Sequence, residues 1–567
     1  MYTRQAGGIK KVAMKDGDAK LHVHLVGPHP ILLYFIDKLH FHSIVNSCLT
    51  RPREGLLDHA QALCVLVQNI ILSPAPLYRI AQWAEPVNPE GLGLTVKEKK
   101  SINDDRMARA LDALTSARGR SLFFQLAIHT IEQFELETQR IHNDTTTVTF
   151  QGRYETSVRQ PRITRGHNKD HRPDMKQLVF GLNVTADGAV PICHEIYSGN
   201  RNDDTIHHSN IERLRGILGH EEFIYVADSK LCSRKNLAYI KSYGGKFVTV
   251  MPRTWAEDKR FRKMLREGRK VRWRRTLVNE NKRRKSDPPD IFWTTTDAIP
   301  CTKDGDKLIW CKSSQKAELD ALAREVELRK TEAELFDLGT RLNKGKLTLR
   351  YQITEAVVAI LEEKKCKKFL DVKIVTRTVI RTKRLRPGRP RPGDPVQEER
   401  TNAFHLAVSR NKKALRAEAR TDGVFPLISN LEKTPRKQVL LIYKYQPYVE
   451  KRHALFKTEL GVAPVYLKKP RRAAGLIHAT FLAMIIDALI ERTVRLAMER
   501  EGIEYLPILP EGRPTKTPTT ARILEMFSNV AWYEFEKGDE KVAFPVELSP
   551  LQTGLLQMLG MDTSSYE

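Results

Sequence analysis

The sequence predicts an α/β protein in which a mixed β-sheet is preceded by a mainly helical region and interrupted by a large basic insertion. Apolar residues recur at helical spacing before residue 138, three β-rich runs follow, and helix and strand patterns then alternate. The 567 residues suffice for about three to four modules. We divide them into a mainly helical region 1–137, a sheet-forming region 138–251, a basic insertion 252–418, a returning strand with helices 419–500, and a C-terminal region 501–567.

Composition excludes several classes of protein. Lys and Arg number 95 against 68 Asp and Glu, and this net charge of +27 favours a polyanionic partner. Seven cysteines without a C-x-x-C pair argue against a structural zinc site and against a disulfide framework. No apolar leader follows Met1, and a buried helix explains the apolar run 473–490 as well as a membrane span does. We therefore expect a cytoplasmic protein without a membrane segment.

Two stretches concentrate the positive charge. Residues 251–290 contain 15 Lys and Arg against six Asp and Glu, and residues 371–393 contain eight against one. Arginines alternate with aromatic residues in the first stretch, where Arg262, Arg274 and Arg275 are candidate contacts to DNA phosphates. The second stretch leads into a Pro/Gly/Arg segment, RLRPGRPRPGDP, which cannot continue a helix or a central strand. A solvated basic surface is the alternative for both stretches.

The N-terminal region is predicted to be helical from about residue 56. Leu57 to Leu72 has helical apolar spacing, Ser73-Pro74 ends that helix, and Pro76 begins another. Asn103 can cap a further helix. Short helices with tight turns suit a DNA-binding domain, and a plain helical bundle is the alternative.

The sheet and the insertion follow in chain order. The sheet region is predicted to contain strands at 138–150, 177–184, 191–197, 222–227 and 247–251, and helices at 205–218 and 233–243. The insertion is predicted to contain a helical segment at 317–363 with a break near Gly345, and β-like stretches at 372–380 and 404–409. The pattern returns with a strand at 423–429 and helices at 436–460 and 473–500.

Two aspartates lie at or next to the ends of β-rich runs. Asp144 is followed by three threonines, and Asp228 comes directly after a short apolar strand and before Ser229. Polar groups at strand ends can converge on a pocket. For either aspartate alone, the capping of a turn is the simpler explanation. Lys230, beside Asp228, is either a DNA contact or an ordinary surface lysine.

The segment from Tyr443 to Lys457 is predicted to be one helix with a polar face. At 100° per residue four polar side chains fall on a face about 60° wide, opposite an apolar face. These side chains are Tyr443, Gln446, Glu450 and Lys457. Pro447 should kink this helix or begin a new one. A solvated polar face is the alternative for this helix alone.

Three carboxylates together suggest a site for hard divalent cations. Asp144, Asp228 and Glu450 are candidate ligands for two Mg²⁺ ions, which Mn²⁺ can replace, in a displacement at phosphorus. Lys457 can hold a phosphate as a point charge. The ring of Tyr443 can stack on a base.

Five segments occur together in the order and spacing of a known family. They are HNDTTTVTF around Asp144, ITRGHNKDHRPDMKQLVFGLNV, GNRNDDTIHH, YVADSKLCS around Asp228, and YKYQPYVEKRHALFK around Glu450. In this combination the chain resembles DDE transposases of bacterial insertion sequences, of the IS-four superfamily and its branch with long spacing between the acidic residues. The family signature in the last segment is Tyr, two residues, Arg, three residues, Glu, six residues and Lys.

The resemblance covers about residues 138–250 and 420–490. It implies an RNase H-like mixed-sheet catalytic core with a large insertion after the second aspartate. It also implies Mg²⁺-dependent cleavage and strand transfer at element ends, which is cut-and-paste DNA transposition. The partners implied are double-stranded DNA, as terminal inverted repeats and as target, and a second copy of the chain in a homodimer on DNA. Such a protein would be cytoplasmic and associated with the nucleoid.

The family's site residues carry over only to matching positions. Asp144, Asp228 and Glu450 would be catalytic and would bind the metal, and Tyr443 and Lys457 would contact DNA. Gln446 stands where the family usually has arginine, so it would contact phosphate without a charge. On this interpretation Gln446→Arg should keep or raise strand cleavage.

Three other functions remain open at this stage. The chain could be an RNase H-like DNA endonuclease that cuts without joining, a catalytically inactive domesticated DNA-binding protein, or a basic structural protein of the nucleoid. The three acidic residues argue against the last two. Tyr443 and Lys457 argue against cutting alone, because such groups would serve a flipped or hairpinned DNA end.

Overall fold

The computed structural model describes residues 19–50, 57–152, 154, 161–202, 205–280, 288–384, 396–461, 467, 469–537 and 540–566. The chain forms two compact units. One comprises Met1–Phe247 and Ile442–Glu567, and the other comprises Val248–Leu441. Most of the Pro/Gly/Arg segment, residues 385–395, lies outside the described residues.

The first unit begins with one strand and a set of helices. Its elements are β1 (Ala19–Leu25), α1 (His29–Lys38), α2 (Phe41–Cys48), α3 (His59–Leu72), α4 (Ile80–Ala84), α5 (Val96–Lys99), α6 (Asp104–Leu114) and α7 (Ala117–Gln133). The Asn103 side chain accepts a hydrogen bond from the Arg106 N–H, which confirms the predicted cap of α6. Asp58 and Gln61 form a capping box at the start of α3.

A mixed sheet follows in the same unit and confirms the predicted α/β class. Its elements are β2 (Arg140–Phe150), β3 (Lys176–Thr185), β4 (Pro191–Ser198), α8 (His207–Leu218), β5 (Ile224–Val226), α9 (Arg234–Ser242) and β6 (Lys246–Val250). The strand order begins β4-β3-β2-β5. β2, β3 and β4 are antiparallel, and β5 lies parallel to β2 on its other side. This is the strand arrangement of an RNase H-like core.

The second unit contains the insertion. Its elements are α10 (Ala256–Arg266), β7 (Arg274–Asn279), β8 (Asp290–Thr295), β9 (Lys307–Ser313), α11 (Ser314–Thr340), α12 (Arg350–Glu363), β10 (Leu370–Arg384), β11 (Val396–Arg410), α13 (Lys412–Ala419), β12 (Val424–Ser429) and most of α14 (Arg436–Lys444). Its strands run in the order β6-β12-β9-β8-β7, and Val248–Val250 of β6 pair with β12. The break between α11 and α12 is where the sequence predicts it. Leu335 and Ile353 on these helices belong to an apolar cluster of their own.

The chain then returns to the first unit. The remaining elements are α15 (Pro447–Lys457), α16 (Pro470–Glu501), β13 (Leu506–Leu509), β14 (Arg513–Thr515), α17 (Thr520–Glu525), β15 (Ala531–Lys537), β16 (Glu540–Phe544) and α18 (Pro550–Leu559). Helix α16 packs against α3, α6 and β4 and is the central helix of this unit. β15 pairs with both β1 and β16 in a small sheet that the sequence analysis did not predict.

Helix α16 contains the apolar run 473–490, which the sequence alone could not distinguish from a membrane span. Among the described residues it is the one single helix that is long and apolar enough to cross a membrane, and α3 with the bent segment 77–84 passes the same test as a pair. The most apolar window of α16 is 89% buried inside the protein. Such burial is expected of a core helix, which is apolar on all sides.

Candidate active site

Strand register brings the two aspartates to neighbouring positions. β2 and β5 are parallel, with His142 opposite Val226. Asp144 lies two residues after His142, and Asp228 lies two residues after Val226. Because side chains two residues apart along a strand point to the same face of a sheet, the two aspartates lie at neighbouring positions. Asp144 lies inside β2 rather than at its end, whereas Asp228 follows β5 and accepts a hydrogen bond from the Lys230 N–H at 2.9 Å.

Helix α15 brings Glu450 to the same region. The predicted single helix is in fact two, because α14 ends at Lys444 and Pro447 occupies the first turn of α15, where a missing N–H costs no hydrogen bond. Phe456 of α15 is fully buried and stacks on Phe180 of β3, with ring centroids 4.4 Å apart. This packing holds α15 over the sheet and leaves Glu450 exposed.

Charge coupling shows that Glu450 lies near Asp144. Partial burial of the Glu450 carboxyl and the negative charge of Asp144 raise the pKa of Glu450, and the positive charges of Lys169 and Lys444 oppose this shift. The Nζ atom of Lys169 lies 3.5 Å from Oδ1 of Asp144. Lys169 therefore offsets part of the repulsion between the two carboxylates.

The loop between β2 and β3 places two charged residues beside the site. Lys169 is held by Thr145, whose Oγ1 accepts a hydrogen bond from Nζ at 2.8 Å. The next residue, Asp170, forms an ion pair with Lys457 at 2.7 Å. Both residues lie in the segment ITRGHNKDHRPDMKQ, which carries part of the resemblance and from which we predict a polar, DNA-contacting loop near the active site. Lys457 thus ties α15 to this loop, which lies beside Asp144.

Gln446 does not occupy the position that the sequence analysis expected. It is only 5% exposed and lies between α14 and α15. Its Nε2 donates to the Asn143 carbonyl at 2.7 Å, and its Oε1 lies 3.1 Å from Nδ1 of His142. Burial lowers the pKa of His142 to about 4, so this imidazole is neutral at pH 7 and its Nδ1–H is the donor. The expected DNA contact of Gln446 is therefore wrong: this residue fastens the helix junction to the strand of Asp144.

Two further side chains of α15 lie beneath the site. His453 is buried, and its Nε2 lies 3.9 Å from Oδ2 of Asp144. Burial lowers the pKa of His453 to about 3, so it is uncharged at neutral pH. Arg452 is also buried and forms ion pairs with Asp487 at 2.8 Å and Glu491 at 2.9 Å, both on α16. These contacts anchor α15 on the core helix of the unit.

The other predicted DNA-binding residues differ in exposure. Tyr443 is half-buried and Lys230 is exposed. In the second unit Arg274 and Arg275 are exposed on β7. Arg262 is 5% exposed, pairs with Asp258 at 2.8 Å, and donates to the Val424 carbonyl at 2.7 Å. The prediction for Arg262 is wrong, because its guanidinium is consumed by these buried contacts.

The three carboxylates fit a hard divalent cation by their chemistry. Carboxylate oxygens are the ligands Mg²⁺ prefers. The pKa of Glu450 is raised first by partial burial and then by the negative charge of Asp144, and a cation between these two carboxylates would relieve that repulsion. The described carboxylates do not form a closed cage with all ligand atoms within 4.8 Å of one another. Of the described residues, His22, Glu534 and Glu536 do so, but Lys541 already lies near both glutamates.

Comparisons with known proteins give a partial picture. A family model described as "Domain of unknown function (DUF4277)" matches residues 22–128. The chain is similar to a piggyBac transposase in a synaptic complex with hairpin DNA, with 9% identity, a TM-score of 0.37 and coverage of 81% of this chain and 75% of that one. It is similar to the Mos1 transposase in a paired-end complex, with 10% identity, a TM-score of 0.14 and coverage of 35% and 59%. No curated protein sequence matches.

Proposed function

We propose that this chain is a DDE transposase that cleaves DNA at the ends of an insertion sequence and joins the freed ends to a target. The observation that supports this most is the strand register, which sets Asp144 and Asp228 at neighbouring positions of an RNase H-like sheet. Glu450, far along the sequence, is coupled by charge to Asp144. The net charge of +27 supports a polyanionic substrate. The order of the five segments named above supports the long-spacing branch of the IS-four superfamily.

The chain's own residues would divide the chemistry as follows. Asp144, Asp228 and Glu450 would hold Mg²⁺, which when bound activates an attacking oxygen and stabilises a leaving oxygen at phosphorus. Lys169 holds positive charge beside Asp144 and would orient a phosphate there. Lys457 fixes the loop that carries Lys169, and would contact phosphate if DNA displaced Asp170 from it.

Two ends must be cut together for an element to move, so we propose that two copies of the chain act on one pair of ends. Double-stranded terminal repeats and target DNA would be the substrates. Two exposed side chains lie two residues from the carboxylates in the sequence, Lys230 after Asp228 and Tyr448 before Glu450. They offer a cation and an aromatic ring for an unpaired or hairpinned end.

The test is cleavage of a linear duplex that carries the sequences flanking the protein's own gene, with Mg²⁺ or Mn²⁺, resolved on a denaturing gel. Asp144→Asn, Asp228→Asn and Glu450→Gln should each abolish nicking at the element boundary and leave DNA binding close to wild type. Asp174→Asn is the matched control, because Asp174 is an exposed carboxylate near the same loop, paired with Arg172. It should cleave normally.

The products separate the possible functions. Nicks followed by joined or hairpin products support a transposase. Nicks without any joined product support a DNA endonuclease instead. Binding without cleavage in either metal would contradict both, and would support an inactive DNA-binding descendant.

A further inference from the structure

The first unit contains a large cavity formed by different residues from those of the carboxylate site. Its volume is about 1600 Å³, and it is lined by parts of α7, β4, α8 and the start of α16. Pockets that enclose drug-sized ligands hold roughly 300–1,000 Å³. This cavity is large enough for a segment of a polymer.

Arginines converge on this cavity from separate parts of the chain. Among the described lining residues five are arginines, and they come from α7, the segment before β3, the loop after β4, α8 and the first turn of α16. In that order they are Arg120, Arg162, Arg201, Arg213 and Arg471. Glu195, the one carboxylate in the described lining, is already paired with Arg213. The described lining therefore carries a clear excess of positive charge, which an anionic ligand would neutralise.

The floor of the cavity is aromatic and uncharged. His194 and His478 are joined by a hydrogen bond of 2.6 Å, and Phe123 packs edge-on against His194 with centroids 4.7 Å apart. Burial lowers the pKa of His194, and it lowers the pKa of His478 to about 3. Both imidazoles are neutral at pH 7, so the charge comes from arginine alone. Phe124, 40% exposed, adds a ring at the rim.

From this combination we infer that the cavity binds a segment of single-stranded DNA. Single strands bind where basic groups follow the phosphates and aromatic rings stack on bases. Ser116, Ser121 and Asn200 add hydroxyl and amide donors of the kind that contact phosphate oxygens. The inference rests on the proposed function, because cleavage at element ends is what would supply an unpaired strand.

The register of the sheet relates the two sites. Asp144 pairs with Leu182, and Leu182 pairs with His194, so all three side chains share one face. Two strand spacings, or about 10 Å, therefore separate the strand positions of Asp144 and His194. A few nucleotides are as long as this distance, and because α15 packs on β2 and β3 between the two sites, a strand that joins them would pass around this helix.

The experiment measures binding of the full chain carrying Asp144→Asn, which prevents cutting, to a labelled single strand of about 12 nucleotides. The cavity variant adds Arg120→Ala, Arg162→Ala and Arg201→Ala. The matched control adds Arg79→Ala, Arg500→Ala and Arg513→Ala, which remove three exposed arginines from the same unit. Kd is measured by fluorescence anisotropy over a range of salt concentrations, and thermal melting checks that both variants are folded.

We expect the cavity variant to bind the single strand at least about tenfold more weakly. Its slope of log Kd against log salt should fall by about 2, because each of the three phosphate contacts removed contributes about 0.7 on a single strand. The control should change Kd less than about threefold, and binding should not change between about pH 6 and pH 8 because arginine does not titrate there. Equal losses in the two variants would overturn the inference. Displacement of the strand at matched ionic strength would also overturn it. Displacement by polyglutamate would mean that the cavity accepts any polyanion, and displacement by pyrophosphate would mean that it binds only a small anion.

A second measurement keeps the inference testable if the cavity variant does not fold. A photoreactive p-benzoylphenylalanine in place of Phe124 should crosslink to the strand, and the same group in place of Tyr78, which is 70% exposed, should not. Crosslinking at Tyr78 alone would contradict the inference. Neither measurement needs cleavage, so failure of the cavity and failure of the proposed transposase activity are separate outcomes.

Discussion

Gln446 shows how a single residue can match a motif position and still have another role. Its side chain is shared between the Asn143 carbonyl and the His142 ring, the two residues that precede Asp144. Gln446 shares a face with Glu450 and Lys457 only if one continuous helix runs through Pro447. The chain instead turns between α14 and α15, and this turn points Gln446 inward.

Gln446→Arg should therefore destabilise the protein rather than keep or raise cleavage. A buried guanidinium without a carboxylate partner should lower the free energy of unfolding by about 3 kcal/mol or more. Denaturant unfolding followed by tryptophan fluorescence measures this loss. Tyr448→Arg is the control, because Tyr448 is 39% exposed nearby and should change stability by less than about 0.5 kcal/mol. A stable Gln446→Arg protein with full cleavage would restore the original interpretation.

The ionised Glu450 side chain is predicted to lower the stability of the folded protein at neutral pH. Its folded-state pKa is raised, so the folded state binds the proton more tightly, and stability falls as pH rises from the ordinary value through the raised one. Glu450→Gln should therefore raise Tm at pH 7, on the order of 1 °C in a chain of this size. The gain should vanish below the ordinary glutamate pKa, where Glu450 is neutral in both states.

The same variant tests metal binding without an activity assay. Mg²⁺ should raise the Tm of the wild type, because a ligand that binds only the folded state stabilises it. The rise should be smaller in Glu450→Gln and unchanged in Asp174→Asn. An equal Mg²⁺ response in all three proteins would mean that the ion binds elsewhere.

The buried face of helix α15 can be predicted from the sequence, but the contacts that hold this helix in place cannot. The sequence predicted its apolar face, and Val449 and Phe456 are buried as expected. Arg452 is buried on the same helix, and the local pattern could not show its partners, because Asp487 and Glu491 lie more than 30 residues away on α16. The ion pair of Lys169 with Asp144 carries no local signal either, since only the fold brings this lysine to within 3.5 Å of that carboxylate.

Arg452→Ala should consequently weaken the attachment of α15 to α16 and destabilise the protein. Removal of the guanidinium leaves the buried Asp487 carboxylate without its ion-pair partner, whereas Glu491 keeps its ion pair with Arg495 at 3.2 Å. Loss of one partner of a buried ion pair typically costs about 3–5 kcal/mol. Lys451→Ala is the matched control, because Lys451 is the exposed neighbour on the same helix and should cost less than about 0.5 kcal/mol. Scanning calorimetry compares the two. If both variants melted like the wild type, the anchoring of α15 by α16 would be wrong.

At the scale of the whole molecule, sequence patterns predicted the class and most elements of the sheet but not the pairing of distant strands. β1 and β15 are seven residues each and lie more than 500 residues apart, so neither carries a local signal for the other. The net charge was informative about the substrate class, yet it could not show which arginines are available. Arg262 and Arg274 lie in the same basic stretch, and only the second is exposed.

The exposed arginines of β7 are predicted to contact duplex DNA. Arg274→Ala with Arg275→Ala should reduce the slope of log Kd against log salt for duplex DNA by about 2, because each phosphate contact on B-DNA contributes about 0.9. Lys330→Ala with Lys344→Ala removes the same charge from exposed positions of the same unit, on and just after α11. A general basic surface would give both pairs the same slope, since long-range attraction depends on net charge. A loss of slope confined to the β7 pair would mean that Arg274 and Arg275 contact phosphates directly. An unchanged slope for that pair would contradict the prediction and mean that other parts of the chain bind the duplex.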